Sequence, residues 1–244
     1  MKINENILLQ LCNTAITAGN RVLDFYDLDT EIIYKKDESP LTKADLDSNK
    51  ILQSIISKIT PNIPILSEEE FIAWSTRKNW KKYWLIDPLD GTKEFIKKNG
   101  EFTINIALIE YNQPVLGIIY APALGYLFFS KKNSGSYKIY TKNNIDTFKK
   151  SEKISVKNTN KEKIIVLGSR SHSNITFDNW VKNKFTNFEI IEKGSSLKFC
   201  EIAEGKADIY PRFGPTSEWD IAAGHIILLE AGGKLKSIDN KDLV

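Results

Sequence analysis

Cysteines and long apolar runs are scarce in this chain of 244 residues. It has two cysteines, Cys12 and Cys200, and neither has a CxxC partner or a histidine at ligand spacing. The sequence therefore predicts buried free thiols in a reducing compartment and argues against a zinc site. No apolar run approaches membrane-spanning length, and Met1 is followed by an amphipathic segment instead of the apolar stretch of a secretory signal. These absences predict a cytoplasmic protein; loose association with the inner face of the membrane is left open.

A large excess of one charge is also absent. Lysine and arginine together number 34 and the acidic residues 31, so the formal net charge is +3. This excess is too small and too evenly spread to predict binding to a nucleic acid polymer, although it suits a small anionic substrate. The hydrophobic share of 41% is ordinary for a globular protein, and the length allows one large domain or two closely packed subdomains.

The first half of the chain predicts two helices followed by a series of strands. Apolar residues at three- and four-residue spacing predict amphipathic helices over 7–26 and 46–59, the second of which Pro61 ends. Short apolar runs then follow one another, at 63–66, 83–86, 102–109, 115–120 and 126–129. Strand after strand without intervening helices predicts a mostly antiparallel sheet.

The second half alternates strands and helices. Strands are predicted at 164–167, 188–191 and 207–210, and helices at 177–185, 196–204 and 221–231. The polar, turn-rich stretch 131–153 predicts a region between subdomains, which we place at 1–150 and 151–244. A strand-rich half followed by an alternating half predicts a layered α/β fold of the α+β kind.

The most informative motif is a hydrophobic strand that leads directly into two aspartates three residues apart. Residues 84–92 read WLIDPLDGT. Pro88 restricts Asp87 to an extended conformation and Gly91 lets the backbone approach a ligand closely, which predicts a rigid turn that aims Asp87 and Asp90 at one point. Carboxylate oxygens suit Mg²⁺, Ca²⁺ or Mn²⁺ and not zinc. Taken alone, the motif is equally compatible with an ordinary turn in which Asp87 caps a following helix.

Two further acidic features lie at the ends of predicted elements. Glu68 and Glu69 follow a short apolar strand, and Asp220 stands at the start of a helix. Singly, a glutamate after a strand is more often solvated and an aspartate at a helix start more often a cap. Because three separate acidic features occupy such positions, a multi-metal carboxylate site is the better interpretation.

The sequence resembles the inositol monophosphatase superfamily of magnesium-dependent, lithium-sensitive phosphatases. The resemblance rests on Ser67-Glu68-Glu69, on DPLDGT at 87–92 and on WDIAAG at 219–224. Within that superfamily the chain is most similar to the bacterial nucleotidases of 3′(2′),5′-bisphosphates, through the stretches 39–45, 87–95, 99–109, 194–200 and 210–216. The resemblance covers nearly the whole chain and implies a layered αβαβα sandwich with two tightly packed subdomains.

The resemblance also implies a metal site and a water-activating pair. The implied magnesium ligands are the carboxylates of Glu68, Asp87, Asp90 and Asp220 and the backbone carbonyl of Leu89. Two or three Mg²⁺ ions are expected there, with inhibition by Li⁺. Such a cluster of carboxylates repels itself when empty, so metal binding should also stabilise the fold.

Asp45 and Thr92 match the pair that positions and deprotonates the attacking water in that superfamily. Asp45 also has a simpler interpretation, as an aspartate in the first turn of a helix. The implied substrate contacts are Glu68, Leu89, Asp90, Gly91, Thr92, Ser195, Lys198, Arg212 and Asp220. Without the resemblance, Lys198 is expected to be a solvated helix charge and Arg212 a surface turn residue.

The two histidines and Trp219 are weaker candidates for a chemical role. His172 lies in a polar loop, where it either touches substrate or begins a helix in solvent. His225 is expected to be a core or interface histidine, and Trp219 to pack behind Asp220. Members of the superfamily usually continue beyond the position of Val244, which leaves open the stability of the second subdomain and any dimer contact of a further segment.

The function implied by the resemblance is removal of the 3′-phosphate from adenosine 3′,5′-bisphosphate, giving AMP and phosphate. Adenosine 3′-phosphate 5′-phosphosulfate is an expected second substrate. The carboxylates alone predict only metal-assisted hydrolysis of a phosphate ester. The alternatives are activity on inositol monophosphate or fructose 1,6-bisphosphate, or a non-catalytic sensor of a phosphorylated metabolite. The chain is expected to be a monomer or a homodimer.

Overall fold

A long series of antiparallel strands forms the centre of the fold. The computed structural model describes residues 3–28, 31–35, 38–157, 162–171, 175–237 and 239–243. Within them the helices are α1 (Glu5–Tyr26), α2 (Lys43–Ile59), α3 (Trp74–Arg77), α4 (Thr92–Ile96), α5 (Ile175–Lys184), α6 (Leu197–Ala203) and α7 (Glu218–Glu230). The strands are β1 (Ile32–Tyr34), β2 (Pro40–Thr42), β3 (Ile65–Ser67), β4 (Lys82–Asp90), β5 (Thr103–Glu110), β6 (Gln113–Ala121), β7 (Tyr126–Lys131), β8 (Ser136–Tyr140), β9 (Glu152–Ile154), β10 (Ile164–Ser169) and β11 (Phe188–Lys193).

The large sheet has the order β3-β4-β5-β6-β7-β8-β9 in the described chain. Its first pair is parallel and the others are antiparallel, which confirms the predicted sheet. Alternation along β4 explains why both faces are covered. Trp84 and Ile86 belong to the core cluster that includes α1 and α2, whereas Leu85 belongs to the cluster that includes α6 and α7.

The second half of the chain adds a two-stranded parallel sheet of β10 and β11. Val166 of this sheet packs in a small core with Phe177 and Val181 of α5. Helices and sheets are thus stacked in layers, and the predicted layered α/β fold is confirmed. The division into subdomains at 1–150 and 151–244 stays a prediction.

Two stretches differ from the secondary structure that the sequence predicts. Strand β8, with Ser136 and Ile139 buried, and most of β9 lie within the stretch 131–153 and belong to the large sheet, whereas 141–151 contains no strand; the place of this stretch between subdomains stays a prediction. Residues 207–210 form no strand in the described structure. Only an isolated bridge joins Ile209 to Val166.

The structure also bears on the predictions made for the two cysteines and for membrane association. Cys12 and Cys200 are free and buried, as predicted. His172 and Val244 lie outside the described residues. No helix among the described residues is both long and apolar enough to cross a lipid bilayer.

Gly117 sets how closely α7 packs on the sheet. A Cβ atom added there would lie 2.5 Å from both the carbonyl oxygen of Ala223 and Cγ2 of Ile226. We expect Gly117→Ala to lower the free energy of unfolding by about 1–3 kcal/mol, because backbone and side chain would have to shift. Urea denaturation measures the change. Gly214→Ala is the matched control, since nothing lies within 4 Å of its added Cβ. Equal denaturation midpoints for the two variants would contradict this packing.

Candidate metal centre and active site

A bulge in β4 places two aspartates at the same end of the sheet. Asp87 pairs with Asn105, but the next pair joins Asp90 to Thr103, so the register shifts between them. The expected turn is therefore a bulged strand end, which bends the chain and re-aims its side chains. Helix α4 begins after Gly91, which has φ 91° and gives no side-chain cap, so the alternative in which Asp87 caps this helix is wrong.

Neighbouring elements bring two further carboxylates to Asp87. Strands β3 and β4 are parallel with Ser67 opposite Ile86, so Glu68 emerges beside Asp87. Asp220 reaches the same point from the first turn of α7. One oxygen from each of Glu68, Asp87 and Asp220 lies within 4.8 Å of the others. The structure thus joins acidic residues from distant parts of the sequence.

The donor set of this cluster fits a divalent cation. Asp87 is 1% exposed, and its Oδ1 accepts a hydrogen bond from the Leu89 amide at 3.1 Å. Its Oδ2 is buried and has no hydrogen-bond donor among the described residues. A buried, unpaired carboxylate oxygen is costly unless a cation or donor approaches it. Carboxylate oxygens facing one another in this way suit hard cations such as Mg²⁺.

The crowded carboxylates hold protons more tightly than free ones. Burial raises the pKa of Asp90 to about 7, and repulsion from Asp220 adds to it against the attraction of Lys198. Burial, followed by repulsion from Glu68, raises the pKa of Asp87 well above its usual range. Burial also raises the pKa of Glu68, although Lys35 opposes the shift. In the absence of metal, each of these groups is therefore harder to ionise than a free carboxylate.

Lys35 supplies a positive charge that no sequence pattern predicts. Its Nζ lies 2.9 Å from Oε1 of Glu68 and 2.8 Å from Oε1 of Glu69. The lysine follows β1, more than thirty residues before its partners. No spacing in the sequence relates the two segments, so only the paired β1 and β2 hairpin reveals the contact.

Asp90 is held from one side by its neighbours. Its Oδ2 accepts the Ser196 amide at 2.6 Å and Nδ2 of Asn105 at 3.3 Å. The Ser196 hydroxyl in turn bonds Oδ1 of Asn105 and Oγ1 of Thr103, at 2.8 Å each. These supporting residues were missed in the sequence, where Ser196 and Asn105 read as ordinary helix and strand positions.

Asp45 caps a helix, as its simpler interpretation predicted, and also bonds Thr92. Its Oδ2 accepts the amide and the hydroxyl of Thr42, at 2.7 and 2.6 Å, which caps α2. Its Oδ1 accepts the Thr92 hydroxyl at 3.0 Å, while the Leu89 carbonyl lies 3.2 Å from the same hydroxyl. Burial raises the pKa of Asp45, and the Thr42 bonds oppose the shift. The helix cap therefore fixes the carboxylate that orients Thr92.

A cavity of about 440 Å³ opens over this centre. Its lining includes every residue proposed to contact substrate: Glu68, Leu89, Asp90, Gly91, Thr92, Ser195, Lys198, Arg212 and Asp220. Asp87 lines it too, whereas Asp45 lies behind Thr92. The volume is within the range of small-molecule sites.

Lys198 and Arg212 are built into the wall of the cavity. Lys198 is 4% exposed, and its Nζ donates to the carbonyls of Lys193 and Ser195 at 3.2 and 2.6 Å. It is therefore not a solvated charge, and burial lowers its pKa to about 8. Arg212 donates to the Tyr210 hydroxyl at 3.2 Å, and its buried Nε has no acceptor in the described structure.

Neither His225 nor Trp219 is among the described residues that line this cavity. His225 is buried in α7 and lines a separate groove with Trp74 and Tyr83, and burial lowers its pKa. Trp219 packs against the core cluster of α6 and α7. These positions agree with the core role expected for His225 and the packing role expected for Trp219.

A layered α/β fold with facing carboxylates in a cavity at strand ends defines a metal-assisted phosphatase of the sugar and inositol phosphatase type. Residues 4–244 match the inositol monophosphatase family, and the chain belongs to that family.

Several members of the family are similar to this chain in sequence, and one of them also in its solved structure. The 3′(2′),5′-bisphosphate nucleotidase CysQ of Buchnera aphidicola is 46% identical over 96% of this chain and 85% of its own length. CysQ of Escherichia coli K12 is 38% identical over 97% of this chain and 93% of its own. The crystal structure of CysQ from Bacteroides thetaiotaomicron has a TM-score of 0.81 and 39% identity, covering 93% of this chain and 86% of that one.

The raised pKa of Asp90 predicts how the metal-free protein responds to pH. Between the usual aspartate pKa of 3.8 and the folded value of about 7, the folded state keeps a proton that the unfolded state releases. Stability must therefore fall as pH rises through this range. We expect the free energy of unfolding in EDTA to fall by about 2 kcal/mol from pH 5 to pH 8.

Asp90→Asn should flatten that dependence and exceed the wild type in stability at pH 8 without metal. Denaturant titrations at each pH measure both effects. Glu110→Gln is the control, because Glu110 pairs with Lys82 at the far end of the sheet. A wild-type stability in EDTA that rises over this range would contradict the electrostatics described above.

Proposed function

We propose that this chain is a magnesium-dependent phosphatase that removes the 3′-phosphate of adenosine 3′,5′-bisphosphate, with AMP and phosphate as products. The convergence of Glu68, Asp87 and Asp220 at the floor of a nucleotide-sized cavity carries the proposal. The substrate follows from relatives at 38–46% identity that are 3′(2′),5′-bisphosphate nucleotidases. Adenosine 3′-phosphate 5′-phosphosulfate, which has the same 3′-phosphate, is the proposed second substrate.

The proposed metal ligands are the four carboxylates Glu68, Asp87, Asp90 and Asp220 and the Leu89 carbonyl. Two or three Mg²⁺ ions bound there would supply charge neutralisation of the phosphate oxygens and a water of lowered pKa. Because Li⁺ is a small hard cation, we expect it to inhibit by competing at the same oxygens.

The chain's own contribution is to place and deprotonate the water. The Thr92 hydroxyl donates to Asp45 at 3.0 Å, which leaves its oxygen lone pairs to accept a hydrogen bond from water. A proton that passes to Thr92 can then be taken by Asp45, whose pKa is raised by burial. The Gly91 region presents backbone groups to the phosphate at the start of α4.

Ser195, Lys198 and Arg212 are the proposed contacts to the rest of the nucleotide. All three line the cavity, and two of them carry positive charge suited to the 5′-phosphate. The guanidinium of Arg212 is already aligned by the Tyr210 hydroxyl and the Pro215 carbonyl. This wall should favour a second phosphate over the uncharged ring of an inositol phosphate.

A substrate panel with Mg²⁺ tests the function. We expect kcat/KM for adenosine 3′,5′-bisphosphate to exceed that for inositol 1-phosphate and fructose 1,6-bisphosphate by about a hundredfold. Phosphate release should fall when Li⁺ is added and should be abolished in Asp90→Asn. A clear preference for inositol 1-phosphate defeats the substrate assignment. Release from none of the compounds favours the non-catalytic sensor.

Arg212→Ala provides an internal control on the nucleotide contacts. It should lower kcat/KM for adenosine 3′,5′-bisphosphate by about tenfold or more, because a charge-assisted hydrogen bond is lost. Turnover of adenosine 3′-phosphate, which has no 5′-phosphate, should change little. Equal losses of kcat/KM on both substrates would show that Arg212 does not bind the 5′-phosphate.

The water-positioning pair is tested by two substitutions of one residue. Thr92→Val removes the hydroxyl that bonds Asp45 and should lower kcat about a hundredfold or more. Thr92→Ser keeps the hydroxyl and should retain most of the activity. Steady-state kinetics at saturating Mg²⁺ measure both variants. Full activity in Thr92→Val would exclude the proposed proton transfer.

A further inference from the structure

A short turn at residues 193–196 controls the position of Asp90. The amide of Ser196 donates to Oδ2 of Asp90 at 2.6 Å, the shortest contact that this carboxylate makes in the described structure. Ser195, just before it, has φ 49°, a left-handed conformation that non-glycine residues rarely adopt. A strained turn keeps this shape only where surrounding contacts impose it.

Glu101 supplies one of those contacts. Its Oε2 accepts the Gly194 amide at 2.8 Å, and the residue is only 9% exposed. Gly194 packs so closely that an added Cβ would lie 2.7 Å from the Glu101 carbonyl oxygen and 2.5 Å from Cγ of Glu94. The backbone of the turn is thus seated directly on the loop that precedes β5.

Arg170 fixes Glu101 in turn. Its Nε lies 2.9 Å from Oε2 of Glu101 and its Nη2 lies 3.0 Å from Oε1, a two-bond pairing that sets the plane of the carboxylate. Lys193 approaches the same carboxylate at 3.5 Å. Burial alone would raise the pKa of Glu101, but the bonds from Arg170 and Gly194 outweigh it and the pKa is lowered. Glu101 is therefore charged at neutral pH.

Neither member of this pair is among the residues that line the cavity in the described structure, so neither is placed to touch substrate. We propose that Glu101, held by Arg170, is a positioning residue that seats Gly194 so that the Ser196 amide aligns Asp90 for cation binding. This rests on the metal site of the proposed function. Groups behind metal ligands that orient them commonly change metal affinity 10–100-fold when removed.

Isothermal titration with Mg²⁺ tests the proposal on the full chain. Glu101→Ala removes the acceptor for Gly194 and should weaken Mg²⁺ binding 10–100-fold. Glu101→Gln keeps one carbonyl oxygen for Gly194, and Arg170→Gln removes the two-bond pairing but leaves the carboxylate near Lys193, so both should weaken binding by a smaller factor. Turnover should recover toward the wild-type kcat when Mg²⁺ is raised to saturation.

Glu192→Gln is the matched control. Glu192 also faces Arg170, at 3.8 Å, but it is half-exposed and its carboxylate bonds no residue of the turn in the described structure, so Mg²⁺ affinity should stay at the wild-type value. If Glu101→Ala does not fold, the two milder variants carry the test.

The possible results separate the inference from the function on which it rests. Weakened Mg²⁺ binding in the Glu101 and Arg170 variants, with wild-type affinity in Glu192→Gln, supports the positioning role. Lower melting temperatures with unchanged Mg²⁺ affinity would show a purely structural ion pair and overturn it. Absence of Mg²⁺ binding in the wild type would overturn the metal site itself.

Discussion

Glu68, Asp87, Asp90 and Asp220 bring four carboxylates to one end of the central sheet, and the surrounding chain has to offset their mutual repulsion. In the protein alone, positive charges and hydrogen-bond donors offset this repulsion only in part. Lys35 pairs with Glu68, and the Ser196 amide bonds Asp90, but Oδ2 of Asp87 has no donor among the described residues. A site left short of positive charge and of donors has a strong preference for a divalent cation.

The layers of the fold explain how these carboxylates meet. The parallel pairing of β3 and β4 puts Glu68 beside Asp87, and the bulge after Asp87 turns Asp90 toward the same space. Asp220 depends on a different contact, the close packing of α7 on Gly117 in β6. Helix packing in one layer therefore sets the geometry of a site whose other ligands belong to the sheet.

Much of this architecture could be predicted from the sequence because it is recorded in local patterns. Apolar spacing indicated α1 and α2, and consecutive short apolar runs indicated the antiparallel sheet. Strand β8 in the stretch 131–153 was not predicted because it has five residues and no continuous apolar run, and its burial comes from neighbouring strands that a local pattern does not reveal.

The candidate site likewise has residues that local motifs predict and residues that they do not. The acidic residues stand in short motifs that predict hard-metal ligands, whereas their supports come from elsewhere in the chain. Lys35 contacts Glu68 across 33 positions, and Glu101 contacts Gly194 across 93. Such contacts follow only from the completed fold. For that reason the residues that hold the ligands were harder to predict than the ligands themselves.

Lys198 shows how one side chain can connect the supporting turn to the cavity. A lysine ammonium has three N–H donors, and two of them go to the carbonyls of Lys193 and Ser195. The third donor has no acceptor among the described residues, and Lys198 lines the cavity. An anion bound there would meet a group that is already held in place by the same turn that aligns Asp90, so substrate binding and metal-ligand alignment share one structural element.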